Sequence, residues 1–144
     1  MGIERLLAAL LAGCVLCAQA QIPSSMEALR AAERVDWEAV RLMSEERVEE
    51  ALPLLHNAAD LWQAAVGRQS RQVYRALGNL QTAYFRLQRY EEMAAVMEQR
   101  LAVACELFGE RHDQVMVSAR NLSDAYRALG RPAEAKAVTC RAAG

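Results

Sequence analysis

The chain has 144 residues, room for one domain, and its 17 Lys and Arg against 18 Asp and Glu leave a net charge of -1. A balance this close to neutral excludes a bulk field drawing the protein to nucleic acid or to an anionic membrane. Its 28 Ala and 18 Leu against 15 β-branched residues favour helix and exclude an all-β domain, and 53% hydrophobic residues exclude disorder.

Residues 1–20 read as an export segment. Met1-Gly2-Ile3-Glu4-Arg5 is a short polar head, followed by an apolar run from Leu6 to Ala18. As helix that run is about 20 Å long at ~1.5 Å per residue, too short for a bilayer core of about 30 Å. Two processing routes compete. Ala18-Gln19-Ala20 sets cleavage after Ala20, whereas Leu11-Ala12-Gly13-Cys14 resembles the lipobox of bacterial lipoproteins, and lipidated Cys14 would tether the protein to a membrane. Cleavage after Ala20 is favoured, because Cys14 comes early, the apolar run continues through Val15 and Leu16, and no polar tether follows. The protein is then exported, periplasmic or secreted, with a membrane-anchored lipoprotein as the alternative. Cleavage also removes the Cys14 and Cys17 pair, whose spacing inside an export helix makes no metal site.

A 42-residue repeat organises the rest. Gly67-Arg68-Gln69-Ser70-Arg71-Gln72-Val73 lines up with Gly109-Glu110-Arg111-His112-Asp113-Gln114-Val115. Asn79-Leu80 falls on Asn121-Leu122, Ala83-Tyr84 on Ala125-Tyr126, and Arg89-Tyr90-Glu91-Glu92-Met93 on Arg131-Pro132-Ala133-Glu134-Ala135. Going back by the same offset, Arg47-Val48-Glu49-Glu50-Ala51 matches Arg89 to Met93, with Leu42 in the place of Tyr84.

Each unit reads as two helices joined by a short turn. Ser24-Ser25-Met26-Glu27 is a capping box opening the first helix. In the third unit Val115, Ala119, Leu122, Ala125, Tyr126 and Leu129 recur at steps of three and four, one buried helical stripe. Gly130-Arg131-Pro132 stops that helix and starts the next. The turn at Leu87-Gln88-Arg89-Tyr90 has no Gly, which predicts a less sharp boundary. Helices are expected near 25–44, 48–66, 70–87, 90–108, 112–129 and 132–143. The organisation is an export segment at 1–20 and a helical repeat domain at 21–144, with units at 25–66, 70–108 and 112–143. Ala51, Ala58, Ala83, Ala125, Ala135 and Ala142 mark close helix approaches. Trp37, Trp62, Tyr84, Tyr90, Phe108 and Tyr126 are expected to pack between helices.

These residues resemble the tetratricopeptide repeat in its 42-residue, kinesin-light-chain-like form. The resemblance rests on Phe108-Gly109-Glu110-Arg111-His112-Asp113-Gln114-Val115, on Asn121-Leu122-Ser123-Asp124-Ala125-Tyr126 and on Gly130-Arg131-Pro132-Ala133-Glu134-Ala135. In the first unit it rests on Val48-Glu49-Glu50-Ala51-Leu52-Pro53-Leu54-Leu55, whose Pro53 has a counterpart in the family pattern. The fold implied is an all-α, α-α solenoid of about three helix-turn-helix repeats. Arg100 departs from the pattern, standing where the family has a small residue, which predicts looser packing there. The last helix stops several residues short of its counterpart ending at Gly109, with no polar capping helix after it, which predicts an exposed apolar edge suited to docking or to self-association as a homo-oligomer. Along that continuous helix Cys140 would lie about 10 Å from the level of Cys105 at ~1.5 Å per residue, beyond the ~7 Å a disulfide spans, so two free thiols are expected.

Chemistry is sparse. His56 and His112 fall in different helices, and no His-Glu-x-x-His, Gly-x-Ser-x-Gly or phosphate-binding loop occurs, so no enzyme activity and no cofactor or metal is expected. His112 sits at a helix start, and the Glu pairs Glu45-Glu46, Glu49-Glu50 and Glu91-Glu92 sit near helix starts, where carboxylates favour the macrodipole. The resemblance implies instead a groove lined by the first helix of each unit. Its ligand-contacting positions map to Arg75, Asn79, Thr82 and Phe85 in the second unit and to Arg120, Asn121, Asp124 and Arg127 in the third. Three arginine forks suit carboxylates, so the implied function is a non-catalytic interaction module for a protein or peptide that is acidic or offers a free C-terminus.

Overall fold

A computed structural model describes residues 25–140. Residues 1–20, read above as an export signal with Cys14, the expected cap serine Ser24, and Ala142 lie outside the described residues. Among the described residues six helices follow one another: α1 (Ser25–Ser44), α2 (Val48–Val66), α3 (Arg71–Arg86), α4 (Tyr90–Phe108), α5 (Asp113–Ala128) and α6 (Pro132–Ala137). Each packs on its neighbour in sequence, and α1 also meets α3 directly, whereas α3 and α5 join only through α4. No helix among the described residues is long and apolar enough to cross a membrane.

Local signals set the ends. The Ser70 hydroxyl accepts from the Val73 amide at 3.2 Å and opens α3; His112 Nδ1 accepts from the Gln114 amide at 3.2 Å and opens α5, the helix-start position expected for it. Arg47, Arg89 and Arg131 precede α2, α4 and α6 and pair instead with Glu50, Glu92 and Glu134 in the first turns, at 2.6, 2.5 and 2.9 Å. Those arginine bonds hold the three carboxyls below their ordinary range. Between the helices of each pair the amides of these arginines reach back to the carbonyls of Leu42, Tyr84 and Tyr126 at 3.0, 2.9 and 2.8 Å. The reversal places Glu46, Gln88 and Gly130 in the left-handed region, with φ of 60°, 57° and 72°. The turn at Gln88 is therefore as sharp as the one at Gly130. Tertiary packing imposes the geometry, and Gln88 carries the strain that glycine avoids.

The core forms two clusters joined at α4. One gathers α1, α2 and α3 around Ala39, Leu55, Trp62, Leu77, Leu80 and Tyr84, with Val96 and Val103 from α4; the other gathers Leu101, Ala104, Leu122 and Tyr126 with Ala135. Tyr74 and Met93 pack against both. Ala51, Ala58, Ala83 and Ala135 are buried at the close approaches expected of them, with Ala125 half-buried. Trp62, Tyr84 and Tyr126 are buried and Phe108 half-buried, but Trp37 and Tyr90 are 76% and 43% exposed, contrary to the core role expected of both. The buried stripe of α1 runs through Ala32, Asp36, Ala39, Leu42 and Met43, which leaves Trp37 on the outer side of the helix. Tyr90 packs only edge-on against Phe85, 6.4 Å between centroids.

The repeat also fixes the partners of its tyrosines. The Tyr84 hydroxyl lies 2.7 Å from Nε2 of His56, and the Tyr126 hydroxyl donates to Glu98, which occupies the position of His56 one repeat later. Arg89 covers the Tyr84 ring at 5.0 Å and Arg131 the Tyr126 ring at 4.7 Å. Burial, reinforced by the bond to Glu98, pushes the Tyr126 phenol up to about 12. Arg100 is not loosely packed as expected. Its guanidinium lies 4.3 Å from the centre of the Tyr74 ring and donates to Gln81 at 3.0 Å. Gly78 leaves it room, since a Cβ there would meet that guanidinium at 3.4 Å.

The cysteines overturn the expectation of free thiols: Cys105 and Cys140 form a disulfide with Cα atoms 5.7 Å apart. The 10 Å separation assumed a helix running to 143. Instead α6 ends at Ala137, Val138 turns extended with ψ of 110°, and the chain folds back onto α4 and α5, where Val138 and Cys140 pack on the second cluster.

Two outcomes test this account. Gln88→Gly relieves a left-handed side chain and is expected to raise stability by about 0.5–1 kcal/mol, while Gly130→Gln lowers it by about as much, read as thermal shifts by circular dichroism. Cys140→Ser opens a loop spanning a sequence separation of 35 and is expected to cost up to about 4 kcal/mol in chain-entropy terms. Thiol titration of the unfolded, unreduced wild-type chain of residues 21–144 must then find no reactive thiol.

Candidate functional site

The first helix of each pair carries a distinct row of residues along one face, exposed or half-buried except at Asp36. Taken at the repeat offset, the rows are Glu33, Asp36, Trp37 and Val40 on α1, then Arg75, Gly78, Asn79 and Thr82 on α3, then Val117, Arg120, Asn121 and Asp124 on α5. Because α1 meets α3, the first two rows frame an open cleft of about 490 Å³. Glu33, Asp36, Trp37 and Val40 form one wall, Gln72, Arg75 and Asn79 the other, and Trp62 of α2 contributes from below.

Of the residues expected to contact a ligand, Arg75 and Asn79 line this cleft. Thr82 lies further along α3, its hydroxyl donating to the Gly78 carbonyl at 3.0 Å, and Phe85 is 61% exposed beside Tyr90. Arg120, Asn121, Asp124 and Arg127 stand exposed together on α5. The three arginines differ in their electrostatic state. Arg75 is held by Asp36 at 2.5 Å and Arg127 by Asp124 at 2.5 Å, while Arg120 has no ion-pair partner among the described residues.

Asp36 and both tryptophans are the residues that sequence reasoning missed as site candidates. A signal existed: subtracting 42 from Asn79 gives Trp37, so the register that picked the groove asparagines also points to a tryptophan. The Asp36 side chain is 8% exposed, and only Oδ2 is satisfied, by Arg75; Oδ1 is buried without a hydrogen-bond partner. Trp62 is 3% exposed, and its indole N–H is likewise unpaired. A buried polar atom left without a partner costs roughly 1–3 kcal/mol. Both unpaired atoms are buried beneath the surface of the cleft that their residues line. No group of three or more metal-ligating side chains gathers among the described residues.

Repeated helical pairs stacked so that alternate helices share one face define an α-α solenoid, a class that builds extended binding surfaces. The family model for the tetratricopeptide repeat matches residues 72–142, and this stretch carries tetratricopeptide repeats. The sequence matches no curated protein at a significant level. Tetratricopeptide repeats are protein–protein interaction modules and their fold is typically non-catalytic.

The two tryptophans separate stability from recognition. Trp62→Ala is expected to cost about 3–5 kcal/mol in chemical denaturation, as for other large core truncations. Trp37→Ala is expected to change stability by no more than about 0.5 kcal/mol, the usual range for an exposed position.

Proposed function

We propose that the protein is an exported, periplasmic or secreted interaction module that holds a segment of a partner protein along the face shared by α1, α3 and α5. The observation that carries this reading is the repeat itself: the tetratricopeptide match over 72–142, together with a face on which polar and aromatic side chains stand exposed at successive repeat positions. On α5, Arg120 and Arg127 offer planar forks to an acidic side chain or a free C-terminus. In this reading Asn79 and Asn121 hydrogen-bond the peptide backbone. Charged contacts of this kind steer the encounter and set register more than they add affinity. Lipidation at Cys14 would tether the same module to a membrane as a scaffold, and association of two copies through the C-terminal edge would make it a homo-oligomer. Palmitate labelling with fractionation, and light scattering, separate those states from the monomeric, exported form.

Affinity capture from the native envelope fraction, with residues 21–144 as bait, tests the reading. The native protein is expected to retain a partner that the Arg120→Glu, Arg127→Glu double variant loses at least tenfold, after circular dichroism shows both to be equally helical. Capture of the same partner by both proteins, or of another copy of the bait alone, overturns the α5 arginines as the working surface.

A further inference from the structure

The α1–α3 cleft differs in chemistry from the α5 face. Its lining holds two carboxylates, Glu33 and Asp36, against one guanidinium, Arg75. That guanidinium is already committed to one oxygen of Asp36, and the other oxygen is unpaired. Glu33 is exposed at the rim and makes no ion pair among the described residues. Beside them stands the Trp37 indole, 76% exposed.

We propose that this cleft is a receptor for a cationic side chain, lysine or arginine, on the bound partner. The proposal rests on the reading that the first-helix face binds a partner segment, and it names what the α1 end of that face selects. An exposed indole flanked by carboxylates attracts a cation through its ring face, and tryptophan is the aromatic residue best suited to this. The cation's N–H groups donate to Glu33 in a charge-assisted bond, and the Asp36 carboxylate in the same wall adds its negative charge. An acidic side chain would face two carboxylates against a single guanidinium, one nitrogen of which Asp36 already holds. An apolar side chain would exclude water from Glu33. The shared face therefore carries opposite preferences at its two ends, a cation on α1 and an anion on α5. That arrangement fixes the direction in which a segment lies.

The chain supplies its own reporters, because its two tryptophans, Trp37 and Trp62, both line this cleft. The test is an NMR titration of ¹⁵N-labelled residues 21–144 with three acetylated, amidated alanine octapeptides carrying two arginines, two glutamates or two glutamines. The arginine peptide is expected to shift both indole N–H signals saturably and to bind at least tenfold more tightly than the other two. Glu33→Gln is expected to weaken it at least threefold and Trp37→Ala at least fivefold. Both side chains are exposed, so neither variant should disturb folding. Absence of a shift with the arginine peptide, equal binding of the glutamate peptide, or indifference to Glu33→Gln overturns the proposal. If the cleft fails in this titration while envelope capture still depends on Arg120 and Arg127, the cation receptor alone is wrong; if native bait captures nothing, the broader reading falls.

Discussion

Burial of α4 on two faces is the constraint on which the rest of the structure depends. A single helical pair has too little apolar surface to close a core, and here one helix completes two. Val96 and Val103 of α4 join the cluster of the preceding helices, while Ala94, Met97, Leu101 and Ala104 join the cluster built with α5 and α6. Fully burying a leucine such as Leu101 contributes roughly 1.5–3 kcal/mol, so the two clusters are coupled through a helix that neither can release cheaply. Small residues at Ala51, Ala83 and Ala94 let the backbones approach closely enough for this.

The same constraint explains why the turns are uniform although their residues are not. Once successive helices are pressed together, the chain must reverse within a few residues, and Glu46 and Gln88 take the left-handed conformation that Gly130 adopts at little cost. The arginines that follow serve three ends at once. Their amides close the turn, their side chains pair with the first-turn glutamates, and two of them cover the tyrosine ring below. Exposed ion pairs of this type contribute little singly, so their weight lies in holding the ring contact rather than in charge.

At the surface the repeat is deliberately broken. Outward positions equivalent by 42 residues hold Trp37, Asn79 and Asn121, while some core positions keep their residue, as Leu80 and Leu122 or Tyr84 and Tyr126 do. Gly78 admits the Arg100 side chain, a local exchange of volume between two helices that no single-position comparison reveals. Binding surfaces on a solenoid are built in this way, by varying outward residues on a scaffold whose inward residues are fixed.

The sequence by itself determined the helices, their pairing and the repeat register, because apolar spacing and turn chemistry are local and recur three times. It also held the α3 and α5 rows, which the register exposes directly. What only the tertiary structure decided was which large residues face water, where the last helix stops and which polar atoms go unpaired. Trp37 and Trp62 are the same residue type, yet one is exposed and the other buried, since burial depends on what packs across from each. Cys105 and Cys140 were too far apart along an uninterrupted helix and became bonded when Val138 left it. The cleft, with its half-satisfied aspartate, arises where α1 and α3 meet, and a meeting of two helices is a property of their packing that neither helix's own residues encode alone.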